Sequence, residues 1–295
     1  PNKNYQPTLL IQMMKSKHLF LILTIFLFNS IIFAQDWTDE KEDTKKTNFF
    51  IGANVGAFFA NNNTASFYDG SNKNSPYGVQ YILNNPNNKP VFDSYFNQTY
   101  SLEELPLNPT YKTALDLGLH AGLSIGKKIS FFIDLNFATL NVNQLFTVLI
   151  DDPTNLSIEP NYEQLPIIGK EKRININLGT QLNYYNQGKT TLYWSVFGNF
   201  NSIELIRNYI IIDNREYEIN HNTFQQPNIK PNGTGYGTGT GLGLKYKLSE
   251  ELTTDLTYNF YYLKTSLSSL SNFGINHGIS VRLIWNWLFT NFYIL

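Results

Sequence analysis

The chain of 295 residues has no cysteine, only two methionines, and a charged fraction of 15%. Without cysteine, disulfides, thiolate metal sites and a lipidated cysteine anchor are excluded. The charged fraction falls well below the roughly 25% of ordinary soluble domains. A net charge of −1 without a basic cluster speaks against a nucleic-acid partner. An apolar run of the roughly 20 residues needed by a membrane-crossing helix is also missing. The longest run, Leu19 to Phe28, is too short. What is abundant is aromatic: 22 Phe and 19 Tyr. A surface poor in charge and rich in rings suits lipid better than water.

Met13 or Met14, the basic Lys15 and Lys17, the run Leu19 to Phe28 and the segment ending Ile32-Phe33-Ala34 read as a secretory signal peptide over 13–34. Residues 1–12 read as upstream sequence outside the native start. Residues 35–46 (QDWTDEKEDTKK) form a charged periplasmic linker. With the leader removed, 19 bases face 23 acids.

The most informative stretch is Ala114 to Thr139, ALDLGLHAGLSIGKKISFFIDLNFAT. Leu115, Leu117, Leu119, Ala121, Leu123 and Ile125 alternate with Asp116, Gly118, His120, Gly122 and Ser124. After the turn Gly126-Lys127-Lys128 the alternation resumes with Ile129, Phe131, Ile133, Leu135 and Phe137. A period of two means strand. Runs well beyond the usual 5–6 residues, apolar on one face and polar on the other, fit tilted strands with lipid outside and a packed polar lumen inside. The same pattern recurs near 47–60, 168–185, 189–206, 233–248, 251–263 and 273–285, giving eight strands over 47–287. Long connections at 61–111, 151–167, 207–232 and 264–272 alternate with short ones, and residues 288–295 form a tail. The predicted fold is all-β: a closed eight-stranded antiparallel up-and-down transmembrane β-barrel with long extracellular loops, short periplasmic turns and both termini in the periplasm. A soluble lipocalin-like barrel would need a polar outer face, which these rows lack. A short helix is expected around Val79 to Leu83, and IRNYIIID near 206–213 could extend as a hairpin above the membrane.

A barrel of eight strands is filled by its side chains, so buried charges must find partners there. Even register in the two hairpins sets His120 beside Asp134 and Lys245 opposite Asp255, with Arg282 on the next strand. The expected lumenal network is Lys245, Asp255 and Arg282, with Asp116, His120 and Asp134 across the barrel and Arg173 also facing inward. Its role is structural; a proton or ion path is the functional alternative. The series GTGYGTGTGLG lacks the Lys-Ser/Thr and the helix of a phosphate loop, and reads as a strand making room for bulky lumenal rings. Three dispersed histidines after the leader make no metal site, and no cofactor is expected. His277 reads as a headgroup contact on the lipid face. His120 with Ser124 points inward, where substrate access is poor, so neither reads as a catalytic pair.

The runs LDLGLHAGLSIGKKISFFIDLNFATLNV and IIGKEKRININLG, with the leader ending FAQ, resemble small OmpA/OmpX-type, porin-like outer-membrane barrels, and more closely those of Bacteroidota. The resemblance implies a Gram-negative outer membrane, outer-membrane lipids as surroundings and the barrel-assembly machinery as a partner. Asn276-x-Gly278-x-x-Val281-x-Leu283 is similar to the insertion signal of such barrels, although the chain continues to Leu295. Loops rich in Asn, Tyr and Ser point to a non-enzymatic structural or surface-binding role, with an unknown surface ligand. The alternatives are an accessory subunit of an envelope secretion or uptake complex, docked to another envelope protein, and a lipid A-modifying enzyme.

Overall fold

The computed structural model describes residues 47–153, 159–221 and 230–288. The segments read as upstream extension, signal peptide and linker, and nearly all of the tail, lie outside the described residues.

The strands are β1 (Thr47–Phe59), β2 (Thr99–Glu104), β3 (Ala114–Ile125), β4 (Ile129–Asp151), β5 (Asn161–Gln187), β6 (Thr190–Ile212), β7 (Arg215–Glu218), β8 (Asn232–Lys247), β9 (Leu252–Leu267) and β10 (Leu270–Leu288). Between β1 and β2 lie a 3-10 turn at Ala65–Tyr68 and two helices, α1 (Val79–Asn84) and α2 (Lys89–Phe96). Eight strands pair antiparallel in the cyclic order β1-β3-β4-β5-β6-β8-β9-β10, and β10 returns to β1 from Asn48↔Leu288 to Phe59↔His277. Every barrel strand thus has two neighbours, and the sheet has no open edge within the belt. His120 pairs with Asp134 and Lys245 with Asp255, the registers expected from the short turns.

Alternate side chains sort by solvent. Leu115, Leu117, Leu119, Phe131, Ile133, Leu178, Leu242, Leu256, Ile279 and Leu283 are exposed on the outer surface, while His120, Asp134, Asn177, Asp255 and Asn276 are buried inside. The twelve residues of β3, at ~3.3 Å per residue and tilted ~40°, cross roughly 30 Å, the thickness of a hydrocarbon core. Trp194, Trp285 and Trp287 are exposed on the periplasmic half of this belt. The glycines of β8 lie against large lumenal rings: a Cβ at Gly239 would run into Phe197, and one at Gly243 into Tyr193.

The belt ends near Phe137 on β4, but β4 runs on to Asp151, and β5 and β6 extend beside it from Asn161 and to Ile212. Above Thr139 the apolar phase of β4 changes parity, from outward Phe131, Ile133 and Phe137 to inward Leu140, Val142, Phe146 and Val148. The strand itself does not flip; the solvent outside it changes from lipid to water. On β6, a bulge opposite Lys170/Glu171 shifts the inward set from Ile203 and Leu205 to Ile210 and Ile212. The extension carries β2 on β4 and β7 on β6, and α1 and α2 pack against it. Val79, Ile82, Leu83, Phe92 and Phe96 meet Phe146, Val148, Leu165, Ile167, Ile210, Ile212 and Ile219 in one buried cluster.

Three of the expected loop boundaries are corrected by these extensions. Residues 161–167 are strand rather than loop. Of 207–232, the first part is the end of β6 and the β7 hairpin, closed by Asp213-Asn214 at φ of 50° and 56°, a turn of the primed kind; residues 222–229 lie outside the described residues. The fourth long loop, 264–272, is a two-residue turn at Ser268-Ser269, because β9 continues to Leu267 and β10 begins at Leu270. Outward Lys264 and Ser266 are polar because water, not lipid, wets them, and that polarity mimics a loop in the sequence.

Candidate functional site

Three tiers of buried side chains occupy the interior, and above them the cap bears a cleft. In the lowest tier, strand register brings acids and bases from five strands together. His120 Nδ1 lies 2.5 Å from Asp134 Oδ1, and Arg282 Nη2 donates to Asp134 Oδ2 at 3.1 Å. Arg282 Nη1 is 3.5 Å from Asp255 Oδ2, so one guanidinium spans two carboxylates. The Tyr193 hydroxyl donates to Asp255 at 2.8 Å. Lys245 faces Asp255 in register, yet its ammonium lies over the rings of Phe50 (5.5 Å) and Tyr193 (5.2 Å). The phenol of Tyr193 takes the place at the carboxylate that the spacing assigned to the lysine. Phe50 in turn stacks on His120 at 5.0 Å, so one ring contacts both the imidazole and the ammonium.

The middle tier is made of amides. Asn54 donates to Asn136 at 2.9 Å, Asn199 to Asn177 at 2.7 Å, and Asn201 to Asn199 at 3.1 Å. Side-chain amides carry both donors and acceptors, so a chain of them links strands without net charge, although Asn54 Oδ1, Asn177 Nδ2 and Asn201 Oδ1 have no protein partner among the described residues.

Arg173 does not belong with the lowest tier. It sits four residues up β5 from Asn177, the register partner of Asp134, and at ~3.3 Å per residue that separates the two by roughly 13 Å along the strand. Its partner is Glu171, at 2.6 Å from Nε, and Nη2 donates to Thr64 Oγ1 at 3.0 Å. Tyr68 and Tyr111 both donate to Glu171 Oε2, at 2.9 and 2.7 Å, and the guanidinium lies 5.0 Å from the Tyr111 ring centre. This tier ties residues 61–111 to the barrel mouth. Asp116 also stands apart: it is buried, and its Oδ1 has no protein partner among the described residues.

Glu171, Thr64, Tyr68, Tyr111 and Tyr193 complete these clusters but were not singled out from the sequence. Glu171 and Arg173, two apart on one inward face, were the available signal. The three tyrosines gave none, since ring-rich strands and loops occur throughout the chain.

On the cap, α2 and the β6–β7 turn border a cleft of about 510 Å³ lined by Pro90, Val91, Ser94, Tyr95, Asp213 and Arg215. The Tyr95 hydroxyl donates to Glu163 Oε1 at 2.5 Å, which holds its proton and pushes its pKa up to about 12. Deeper in the cap, His221 stacks on Phe67 at 4.3 Å and makes hydrogen bonds with Asn208 and with the Asn74 carbonyl. Burial lowers its pKa below the usual histidine value, outweighing the Asn74 carbonyl and Asp69, which act the other way. Among the described residues no group of three or more His, Asp or Glu could hold a metal ion.

No protein-family profile matches the chain, and no curated protein matches its sequence. Solved structures with a similar course include Neisserial surface protein A (10% identity, TM-score 0.41, covering 80% of this chain and 96% of that one). The outer-membrane protein OprG of Pseudomonas aeruginosa is similar at 14% identity and a TM-score of 0.37, covering 82% and 95%. Ail of Yersinia pestis, solved with the heparin analogue sucrose octasulfate, gives 8% identity and a TM-score of 0.34, covering 82% and 99%. The ring of strand pairings and the continuous apolar belt carry the assignment by themselves: this chain is an integral eight-stranded β-barrel of the outer-membrane kind.

Proposed function

We propose that the protein acts at the surface of a Gram-negative outer membrane as a non-enzymatic binding protein, through the cap built on β4–β6, with a lumen closed to solutes. The observation that supports this most is the separate apolar core of the cap. Fixing a backbone costs roughly 1–2 kcal/mol per residue, and the closed barrel below does not require residues 61–111 to be ordered. The cap core offsets that cost and fixes a cleft of mixed character, with a phenol, an acid, a guanidinium and the apolar Pro90 and Val91, suited to a polar ligand such as a surface glycan. Closure of the lumen is supported by the three tiers of buried side chains. Absence of catalysis is supported by the partners of the two candidate histidines: His277 is paired with the Tyr258 hydroxyl at 2.7 Å, and Ser124 is paired with Ser130 rather than with His120.

A glycan array probed with the detergent-purified protein tests the binding reading. Binding that falls at least about tenfold in Tyr95→Ala and Arg215→Ala is expected; binding unchanged in both variants refutes the cleft. Liposomes containing the protein should show no sugar-dependent swelling. Leu145 and Tyr162, each 50% exposed on the outward face above the belt, favour a second reading, a docked envelope partner. A defined complex on sizing after mild extraction would support it, and a lone monomer would not.

A further inference from the structure

The outer rim of the belt is uneven around the barrel. On β3 its outward residues are aliphatic, whereas the upper end of β8, β9 and β10 presents Tyr236, Phe260, Tyr262, Phe273 and His277 together. The rings of Tyr262 and Phe273 stack at 5.2 Å and 18°, and Tyr236 meets Phe273 edge-on at 6.0 Å. Phe260 meets the His277 ring edge-on at 5.2 Å. Lys264, the register partner of Phe273, holds its ammonium 5.8 Å from the centre of the Tyr236 ring. It forms no ion pair with any carboxylate among the described residues. β9 and β10 join in the Ser268-Ser269 turn directly above this patch.

We infer that this face is a binding site for a phosphorylated glycolipid of the outer leaflet, an inference that rests on the outer-membrane reading above. Each part of such a lipid meets its complement. Acyl chains continue along the apolar rows below, the interface with lipid already present. A phosphate at the headgroup level meets Lys264, a cation with no acid to neutralise it. Flat sugar rings meet the clustered faces of Tyr236, Tyr262 and Phe273. The aromatic cluster is what favours a glycolipid over a glycerophospholipid, whose headgroup has no ring to lie on it. His277 borders the patch at the edge of the belt, its Nδ1 held by the Tyr258 hydroxyl.

The test uses the full-length protein in detergent, with diphosphoryl lipid A, the same lipid after phosphatase treatment and phosphatidylglycerol as probes, and bound lipid counted by native mass spectrometry. Diphosphoryl lipid A is expected to be retained at concentrations about tenfold lower than phosphatidylglycerol, with the advantage lost on dephosphorylation and in Lys264→Gln. Tyr262→Leu combined with Phe273→Leu should weaken lipid A and leave phosphatidylglycerol unchanged. Lys172→Gln, on the opposite side of the barrel, is the control and should change nothing. Equal retention of the two phospholipid classes, or equal loss in Lys264→Gln and Lys172→Gln, would overturn the site while leaving the membrane reading intact. Absence of a heat-modifiable band from the outer-membrane fraction would remove both.

Discussion

The lower and upper halves of β4, β5 and β6 are the same strands in two different solvents, and they are built in opposite senses. Below Thr139 the apolar rows of β4 face out and the inner face mixes Ser130, Asp134 and Asn136 with Phe132 and Ala138; above it the inner face carries Leu140, Val142, Phe146 and Val148. In the lower half lipid already satisfies the outward apolar rows, and the buried rings of Phe50, Phe132, Phe197 and Tyr261 share the lumen with polar groups. Hydrogen bonds, the Asp134–Arg282–Asp255 bridge and the closed ring of backbone pairs hold that interior together with them. In the upper half burial of side chains from water does the work, as in any soluble domain. The two halves should therefore fail independently, and for different reasons.

The sharpest way to break the comparison is Asp134→Ala. It removes the acceptor of both His120 and Arg282 and leaves a buried guanidinium short of a counter-charge, a loss of ~3–5 kcal/mol. Urea unfolding in micelles, followed by tryptophan fluorescence, should shift to a lower midpoint, while protease resistance of residues 61–111 stays as in the wild type. Phe92→Ala should do the converse. Truncating a fully buried ring costs ~3–5 kcal/mol of local stability; nicking between α1 and β2 should accelerate, with the urea midpoint unchanged. If both readouts move in either variant, the halves are one cooperative unit and the comparison fails.

Glu171→Gln strikes the junction, where Tyr68, Tyr111 and Arg173 converge on one carboxylate. A loss of ~1–3 kcal/mol should appear in both readouts together, unlike the two variants above. The smallest effect concerns pH. Burial lowers the His221 pKa, so the unfolded cap binds a proton more readily than the folded one. The contribution of His221 is complete above the unfolded value of ~6.5 and declines as pH falls from there toward the lower folded value. As pH falls from 7.5 to 5.5, hydrogen exchange in the cap should therefore slow less than the intrinsic rate does, and His221→Asn should remove that difference.

The sequence reveals the belt better than the cap, for a physical reason. Lipid enforces a strict outward row, so Leu115 to Ile125 and Ile129 to Phe137 can be read residue by residue, and short turns then set the registers His120–Asp134 and Lys245–Asp255. Above the membrane the constraint reverses, and a strand such as Lys264 to Leu267 shows polar residues where the belt showed apolar ones. A reader following the outward row sees a loop there. Helix α1 is legible near Val79 to Leu83, whereas Pro90 and a polar surround mask α2. The separation of Arg173 from the lower charges follows from distance along β5. The placement of Lys245 over rings instead of beside Asp255 depends on where the Tyr193 hydroxyl reaches, which spacing alone does not encode.

The unequal lengths of the outer hairpins give the wall of the barrel a tall side and a short side. The Asp213-Asn214 corner stands well out from the bilayer, at the end of a strand that continues ten residues past Ser202, roughly 30 Å along its axis, whereas Ser268-Ser269 closes just above the headgroups. A peptide tag spliced into the first corner would be displayed farther from the bilayer than the same tag in the second. The fold thus provides two graft points of different reach on a single rigid scaffold, each closed by a two-residue turn.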